Sequence, residues 1–384
     1  MPRLWHDPPV PDQSLVDAAA LDELLSRVQH EVETGRAPSC QLALARDGQL
    51  VADVTFGDAP AGARYSVMSV TKAYVAAGTW LLLGDGSLTP DTRVVEVIPE
   101  FGANGKEAVT LEHLLTHTAG FPNAPMRPGE GRTSAGRVAR FASWRLDSEP
   151  GTTMAYHGTS AHWVVAEMIE RVSGQDYRTF LNERVAVALG LERLRLGVPP
   201  EEGGDVVEIS MVGDSGGGNL GIDEAVPDVL LLYNEPDVRA VGVPGSGAVS
   251  TAADVAMLYQ ALLRNEPPLW DPVVLADGTG NIRNRLVDPL RGVPANRTLG
   301  LAVAGDDGHA AVREFGLEAG PRTFGASGLG GQIAWADPDT GLSFCWLTNG
   351  LLADIVATYK RTTALSTRAA RCAPPTVPAA KESV

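Results

Sequence analysis

Ser69 and Lys72 stand three positions apart, in the run Tyr65-Ser-Val-Met-Ser-Val-Thr-Lys72, at the start of an apolar stretch. If a helix begins near Ser69, the two side chains lie one turn apart on the same face. A serine hydroxyl becomes a strong nucleophile only when a base takes its proton, and a lysine can take it only where loss of water destabilises its ammonium. The chain has four lysines among its 31 basic residues, so it places lysine, and not its usual arginine, at this position. The pair predicts catalysis by a serine nucleophile.

The Ser-x-x-Lys spacing alone leaves two interpretations open. A serine that caps a helix, followed by a solvated lysine, gives the same pattern, and so short a pattern recurs by chance. In the catalytic interpretation, the amides at the start of the helix also stabilise the negative charge that develops as Ser69 is acylated. Other parts of the sequence have to decide between the two.

Four further blocks follow the pair and favour catalysis. They are Glu112-His-Leu-Leu-Thr-His-Thr-Ala-Gly120, Pro150-Gly-Thr-Thr-Met-Ala-Tyr156, Gly247-Ala-Val-Ser-Thr-Ala-Ala-Asp254 and Phe324-Gly-Ala-Ser-Gly-Leu-Gly-Gly331. With these blocks in this order, residues 17–349 resemble the class C β-lactamases, the penicillin-binding proteins and the family VIII carboxylesterases, which are β-lactamase-related serine hydrolases. The dipeptide Tyr156-His157 makes the esterase branch the most similar of these.

The resemblance implies roles for residues outside the Ser69 and Lys72 pair. Tyr156 matches the tyrosine that shares proton transfer with the lysine. The backbone amide of Leu329 would form an oxyanion hole with that of Ser69. A hydrogen-bonded structural role is an open alternative for His157. The implied substrate-binding residues are His157, Gly158, Ser327, Gly328 and Leu329.

Two motif positions depart from these families. Their Tyr-x-Asn is Tyr156-His-Gly158 here, so the side-chain amide that contacts the lysine and a substrate amide is missing. Their third motif begins with lysine or histidine, but here it reads Ala326-Ser-Gly328, and alanine offers no cation or imidazole to a substrate carboxylate. Both changes favour simple esters over β-lactams and peptides as substrates.

Two other patterns suggest different chemistry. Gly213-Asp-Ser-Gly-Gly217 matches both a G-x-S-x-G elbow and the serine signature of trypsin-like proteases, but it lies in the glycine-rich stretch 203–221, which we interpret as a loop and not as a strand-to-helix turn. His113 and His117 have the i, i+4 spacing of metal ligands, but no third ligand is placed near them. We therefore expect Ser215 to be dispensable and the chain to use no metal or organic cofactor.

Regular elements are predicted mainly from hydrophobic spacing and turn signals. Helices are expected over Asp17–Val32, over Thr110–His117 with its end at Gly120, over Ser160–Val172, from a capping box at Thr251–Asp254 to Leu263, and over Ala353–Arg371. Strands Gln41–Ala45 and Gln49–Phe56 join through Asp47-Gly48, a dipeptide typical of a two-residue hairpin turn. Strands Gln332–Ala336 and Leu342–Thr348 form a second hairpin.

Strands at both ends with helices between them predict an α/β (α+β) fold of the β-lactamase type. We expect a mainly antiparallel sheet flanked by helices, built from residues 1–85 and 240–384, and an inserted, mainly helical part over residues 86–239. The catalytic cleft would lie between the two parts. Residues 373–384 are expected to be a disordered tail.

Composition narrows the range of partners. The net charge is −16, which disfavours nucleic acid and anionic membrane surfaces. Three scattered cysteines form neither a disulfide framework nor a zinc site. Without a signal-peptide core near the N-terminus, the sequence predicts a cytoplasmic enzyme with a small-molecule ester substrate. It does not indicate the oligomeric state.

Together these features predict hydrolysis of carboxylic esters through an acyl-enzyme on Ser69. A β-lactamase, D-peptidase or acyltransferase that uses the same serine is the nearest alternative. A non-catalytic protein that binds acyl ligands or acts as a scaffold is an alternative of another class.

Overall fold

Helices and short strands alternate along the chain in the computed structural model, which describes residues 15–213 and 227–374. The helices are α1 (Ala18–Glu33), α2 (Thr71–Gly84), α3 (Val94–Val97), α4 (Leu111–Leu115), α5 (Pro128–Gly131), α6 (Ser134–Ser143), α7 (Ser160–Ser173), α8 (Tyr177–Leu181), α9 (Pro227–Leu231), α10 (Pro236–Val241), α11 (Ala252–Arg264), α12 (Pro272–Gly280) and α13 (Ile355–Arg371). The strands are β1 (Ser39–Arg46), β2 (Gln49–Gly57), β3 (Tyr65–Ser66), β4 (Arg195–Leu196), β5 (Ser210–Val212), β6 (Ala248–Ser250), β7 (Val287–Asp288), β8 (Val293–Pro294), β9 (Ala302–Val303), β10 (Phe324–Gly328), β11 (Gln332–Asp337), β12 (Leu342–Thr348) and β13 (Gly350–Leu352).

The largest sheet takes strands from both ends of the described chain. Its order is β2-β1-β12-β11-β10-β9, and all its neighbours pair antiparallel. The expected hairpins are confirmed as β1–β2 and β11–β12. At the first hairpin, Asp47 and Gly48 have φ values of 52° and 79°, the positive values that its tight turn requires. The predicted fold class, a mainly antiparallel sheet with helices, is confirmed.

Helix α11 packs against this sheet through a buried glutamine. Gln260 donates to the carbonyl oxygens of Ala45 and Gly341 and to Ser343 Oγ, over 2.9 to 3.0 Å, and accepts from Gly48 N at 2.9 Å. Because these bonds reach both hairpins, the side chain ties the helix to the two turns of the sheet.

Helix α2 is the central helix of the core, and all its residues from Thr71 to Trp80 are buried. Small side chains let its neighbours approach closely. A methyl group at Gly78 would lie 2.2 Å from Leu181 Cδ2 in α8, and one at Gly300 would lie 2.5 Å from the Ala76 side chain. This packing fixes the helix that carries Lys72.

Several predicted boundaries need correction. The helix expected over Thr110–His117 ends at Leu115, because His117 adopts a left-handed backbone with φ of 61°. The last helix begins at Ile355 and not at Ala353. At Thr251 only half of the capping box forms, since Asp254 instead accepts hydrogen bonds from backbone amides of residues 193 and 194.

The stretch 203–221 is not wholly a loop. Its residues 210–212 form β5, which pairs in parallel with β13. Ser215 and the residues around it lie outside the described part of the chain, as do residues 375–384 of the expected tail. The division of the chain near residues 85 and 239 stays a prediction. No helix in the described ranges is long and apolar enough to cross a membrane.

Candidate active site

Ser69 lies in a tight helical turn, Met68–Val70, between β3 and α2. The residue before it, Met68, adopts φ of 48°, a conformation that is uncommon outside glycine. The end of β10 passes directly alongside, since a methyl group on Gly328 would lie 3.2 Å from Ser69 N and 3.0 Å from Val67 O. Glycine at this position therefore allows the strand to approach the serine.

Lys72 is almost fully buried, with 3% of its surface exposed. Its Nζ donates to Ser69 Oγ at 3.1 Å, to the carbonyl oxygen of Gly158 at 2.7 Å and to that of Gly245 at 2.8 Å. An ammonium has three donors, and all three find an acceptor here. Gly158 thus contacts the lysine through its backbone, where the related families use a side-chain amide.

Tyr156 lies beside this pair, and the centre of its ring is 5.0 Å from Lys72 Nζ. Burial would raise the pKa of the phenol, but the charge of Lys72 and hydrogen bonds to Ser69 and Lys72 lower it by more, with a further contribution from Arg297. The pKa of Tyr156 is therefore below its usual value of 10. The site stabilises the phenolate form.

Arg297 is a residue of the site that the sequence analysis missed. Its guanidinium carbon lies 5.8 Å from the centre of the Tyr156 ring, and only 9% of the residue is exposed. Backbone hydrogen bonds with Asn284 hold it in place. No spacing rule distinguishes this arginine from the others in the chain, so no signal in the sequence could have found it.

The end of β10 forms one wall of the site, as expected. Ser327, Gly328 and Leu329 all line the cleft beside Ser69. Ser327 Oγ donates to Glu314 Oε2 at 2.7 Å, and the same oxygen accepts from Arg291 at 2.6 Å. Hydrogen bonds through Glu314 and Arg291, two residues outside the third motif, thus support this wall.

For His157 the structure favours the structural alternative over contact with substrate. The residue is fully buried, its Nε2 accepts from Phe121 N at 3.2 Å, and its Nδ1 donates to the carbonyl oxygen of Ala155 at 2.6 Å. Burial lowers the pKa of the ring to about 4. With both nitrogens engaged below the surface, His157 has a structural role, and the expected contact with substrate is not supported.

His117 and His162 are buried next to His157. Burial, followed by the surrounding cations, lowers the pKa of both rings well below 6.5. His113 and His117 do not form the helical i, i+4 arrangement, because His117 lies beyond the helix end and His113 Nδ1 accepts from the backbone amide of Thr110. Within residues 15–213 and 227–374, no three side chains are arranged to hold a metal ion.

Ser69 and Tyr156 stand between two pockets. One, here called the polar pocket, has a cavity volume of about 90 Å³. Its charged lining residues are Lys72, Asp288, Arg291, Arg297, Arg313 and Glu314. The other, here called the apolar pocket, has a cavity volume of about 320 Å³. Its lining includes Met68, Met126, Val229, Leu232 and Val243. Leu329 borders both.

Comparison with known proteins agrees with this geometry. The Beta-lactamase family model matches residues 24–366. The esterase/beta-lactamase LipL of Mycobacterium tuberculosis is 28% identical over 83% of this chain and 78% of its own. The crystal structure of a penicillin-binding protein homologue from Caulobacter crescentus has a TM-score of 0.74 and 26% identity, with 94% of this chain and 98% of that chain covered. For a family VIII carboxylesterase the TM-score is 0.76 at 23% identity, with 92% and 98% covered.

We expect the three buried histidines to make the fold sensitive to mild acid. Unfolded histidines take up protons near pH 6.5, whereas the pKa of folded His157 is about 4 and those of His117 and His162 are also lowered. Between these values the unfolded state binds more protons, so the free energy of unfolding falls as the pH falls, by about 1.4 kcal/mol per pH unit for each histidine that stays neutral. Urea unfolding at pH 7, 6 and 5 measures this slope.

A matched pair of variants isolates the effect. Neither ring nitrogen of His162 has a hydrogen-bond partner among the described residues, so His162→Met removes a titrating group with little other change. His162→Met should reduce the dependence of the unfolding free energy on pH by the contribution of one histidine, about 1.4 kcal/mol per pH unit. The exposed His30→Gln should leave the slope as it is. Equal slopes in all three proteins would contradict the prediction.

Proposed function

Because the chain belongs to the beta-lactamase family of serine hydrolases, we propose that it hydrolyses carboxylic esters through an acyl-enzyme on Ser69. The resemblance expected from the motifs is confirmed by the family match. The observation that carries the proposal is the hydrogen bond of 3.1 Å between Lys72 Nζ and Ser69 Oγ, beside a tyrosine whose pKa is lowered. A nucleophile next to a base is the arrangement that covalent catalysis requires.

In the proposed acylation step, the phenolate of Tyr156 takes the proton of Ser69 as Oγ attacks the ester carbon. Spacing alone favoured Lys72 as the base. Lys72 Nζ is bonded to three acceptors, with Ser69 Oγ among them, so the lysine orients the serine, and its charge stabilises the phenolate. Tyr156 then gives the proton to the departing alkoxide, which leaves as the alcohol.

Two backbone amides, of Ser69 and Leu329, would stabilise the oxyanion of the tetrahedral intermediate. This assignment is supported by the close approach of β10 to Ser69, which brings the residue after Gly328 to the serine. In deacylation, water attacks the acyl carbon and gives a proton to the phenolate of Tyr156. Ser69 leaves and regains a proton from Tyr156, so that ester and water become acid and alcohol. No step needs a cofactor.

Ester substrates are favoured over amides and β-lactams by what the second motif lacks. Gly158 has no side chain to donate to a substrate amide, and its carbonyl oxygen is already bonded to Lys72. Among the similar proteins, the family VIII carboxylesterase is named for ester hydrolysis, and LipL is named as both an esterase and a beta-lactamase. The proposed partner is accordingly a small-molecule ester.

The similarity to a penicillin-binding protein homologue supports a second candidate, a D-peptidase, β-lactamase or acyltransferase that uses the same serine. The rival of another class, a protein that binds acyl ligands without catalysis, would keep the pockets and lack a reactive Ser69. Covalent labelling by a serine-directed phosphonate separates that rival from an enzyme.

We expect Ser69→Ala to abolish both phosphonate labelling and hydrolysis of p-nitrophenyl butyrate, because the hydroxyl is the proposed nucleophile. Mass spectrometry of the intact protein measures the label, and absorbance at the nitrophenolate band measures turnover. Ser215→Ala, which tests the alternative serine signature, should retain both. Labelled or active Ser69→Ala protein would overturn the assignment.

We expect Tyr156→Phe to lower kcat about 10²- to 10⁴-fold, the usual contribution of a general base. Tyr359 is a matched control in the polar pocket, because burial raises the pKa of its phenol instead of lowering it. Tyr359→Phe should retain most of the activity. Equal kcat in the two tyrosine variants would contradict the role of Tyr156.

We expect Lys72→Arg to be nearly as inactive as Lys72→Ala in hydrolysis of p-nitrophenyl butyrate, since a planar guanidinium does not fit three acceptors arranged around one nitrogen.

We expect a higher kcat/KM for p-nitrophenyl butyrate than for nitrocefin on one preparation. The reason is Gly158, since a missing hydrogen bond costs about 0.5 to 1.5 kcal/mol for a neutral partner and more for a charged one. Gly158→Asn should lower the ratio of kcat/KM for p-nitrophenyl butyrate to kcat/KM for nitrocefin, if the side-chain amide missing at position 158 is what disfavours a β-lactam. A ratio of one or less in the unchanged protein would favour the β-lactamase candidate.

A further inference from the structure

We propose that Arg297 binds a carboxylate of the substrate, so that the preferred esters carry a negative charge close to the reacting ester bond. This rests on the proposed function and names the substrate class for it. The site involved is the polar pocket, which shares Ser69, Tyr156 and Leu329 with the apolar pocket.

Arg297 interacts with the Tyr156 ring at 5.8 Å, but none of its side-chain N–H groups has an acceptor among the described residues. Its side chain makes no hydrogen bond or ion pair with any residue in the described part of the chain, and its Nε is fully buried without an acceptor. Burying a guanidinium without hydrogen-bond acceptors costs several kcal/mol, so proteins seldom leave one in this state. Arg297 lines the polar pocket, so we infer that a ligand in this pocket accepts hydrogen bonds from these unused donors.

The other two arginines of the polar pocket, Arg291 and Arg313, differ from Arg297 because both are paired with carboxylates. Arg291 bonds to Glu314 at 2.6 Å and to Asp288 at 3.2 Å. Arg313 bonds to Asp307 at 2.8 Å and to the carbonyl oxygen of Ala304. Because those carboxylates are held by Arg291 and Arg313, the positive charge left for a ligand is that of Arg297.

The guanidinium of Arg297 lies close to the proposed reaction centre. Arg297 lies 5.8 Å from the ring of Tyr156, so a carboxylate on its guanidinium would stand a few atoms away from an ester carbonyl at Ser69. The nearby motif position, Ala326, presents only a methyl group. A planar guanidinium suits a carboxylate because it can donate two parallel hydrogen bonds. Two classes of ester keep a free carboxylate near the ester bond: half-esters of dicarboxylic acids, and hydroxy acids that are esterified on the hydroxyl group.

A different role has to be separated from this one. Arg297 also helps to lower the pKa of Tyr156, and that effect would reach every ester alike. Carboxylate binding would affect only charged esters. The ratio of kcat/KM for a charged ester to that for its neutral match therefore distinguishes the two roles, whatever happens to the absolute rates.

The test uses two matched pairs of esters. Mono-p-nitrophenyl succinate against p-nitrophenyl butyrate places the carboxylate on the acyl part. 4-Butyryloxybenzoate against 4-butyryloxybenzamide places it on the alcohol part. We expect the charged member of one pair to be preferred, and we expect Arg297→Met to lower its ratio about tenfold to a hundredfold, mainly through KM.

Two further variants complete the set. Arg297→Lys keeps the charge and should restore part of the ratio, and Arg322→Met, at an exposed arginine paired with Asp339, should leave both ratios unchanged. Arg297→Met should fold at least as stably as the unchanged protein, because it removes a buried charge without hydrogen-bond acceptors. Ratios that do not change in Arg297→Met, or a uniform loss on charged and neutral esters, would overturn the proposal.

Binding to the inactive protein keeps this proposal separate from the proposed function. Titration of Ser69→Ala with succinate and with 4-hydroxybenzoate should show heat of binding for at least one of them, which Arg297→Met abolishes. Binding without any ester turnover would mean that the proposed function fails and the carboxylate site stands. Turnover of neutral esters without carboxylate binding would mean the reverse.

Discussion

The site depends on one buried charge, the ammonium of Lys72, and on the three oxygen atoms that receive its hydrogen bonds. These belong to Ser69, Gly158 and Gly245, which lie in three segments far apart in sequence. An unpaired charge at this depth would cost several kcal/mol, so the fold must bring all three segments to the helix that carries the lysine. The small side chains of α2 make that possible by letting the neighbouring elements pack closely around it. Ser69, the second motif and the loop before β6 are therefore positioned by a single group.

The electrostatics around Tyr156 follow from the same charge. A buried phenol normally holds its proton more tightly than one in water, as Tyr74 and Tyr259 do in this core, where burial raises the pKa. Tyr156 differs because Lys72 and Arg297 both lie near its ring. The protein is strongly acidic overall, yet it collects cations around this one phenol. A stabilised phenolate next to a serine hydroxyl is the consequence.

Local patterns in the sequence were enough to predict the parts of the site that depend on spacing. Ser69 and Lys72 are one turn apart, and both hairpins carry their turn residues, so the nucleophile region and the mainly antiparallel sheet could be predicted. What depends on distant contacts could not. His157 is buried because Phe121 and Ala155 take up its two ring nitrogens, and the sequence gives no sign of that packing. Arg297 reaches the site from a segment without any motif. The choice of Tyr156 over Lys72 as the proposed base also depends on the carbonyl oxygens of Gly158 and Gly245, which accept hydrogen bonds from Lys72. Every residue type has a backbone carbonyl, so no sequence pattern indicates these contacts.

The two departures from the family motifs have different structural consequences. At Gly158 the lost side chain removes a donor, and the backbone carbonyl takes over the contact with Lys72, so the helix keeps its anchor while the substrate loses one. At Ala326 the lost cation is not replaced within the strand, since Ser327 is bonded to Glu314. The free positive charge of the polar pocket comes instead from Arg297, which Asn284 holds through the backbone. A charge that enters from a different segment meets the substrate from a different direction. A substrate carboxylate bound to Arg297 would therefore lie at a different place from one bound to the cation of the third motif, and the two arrangements would suit substrates of different shape.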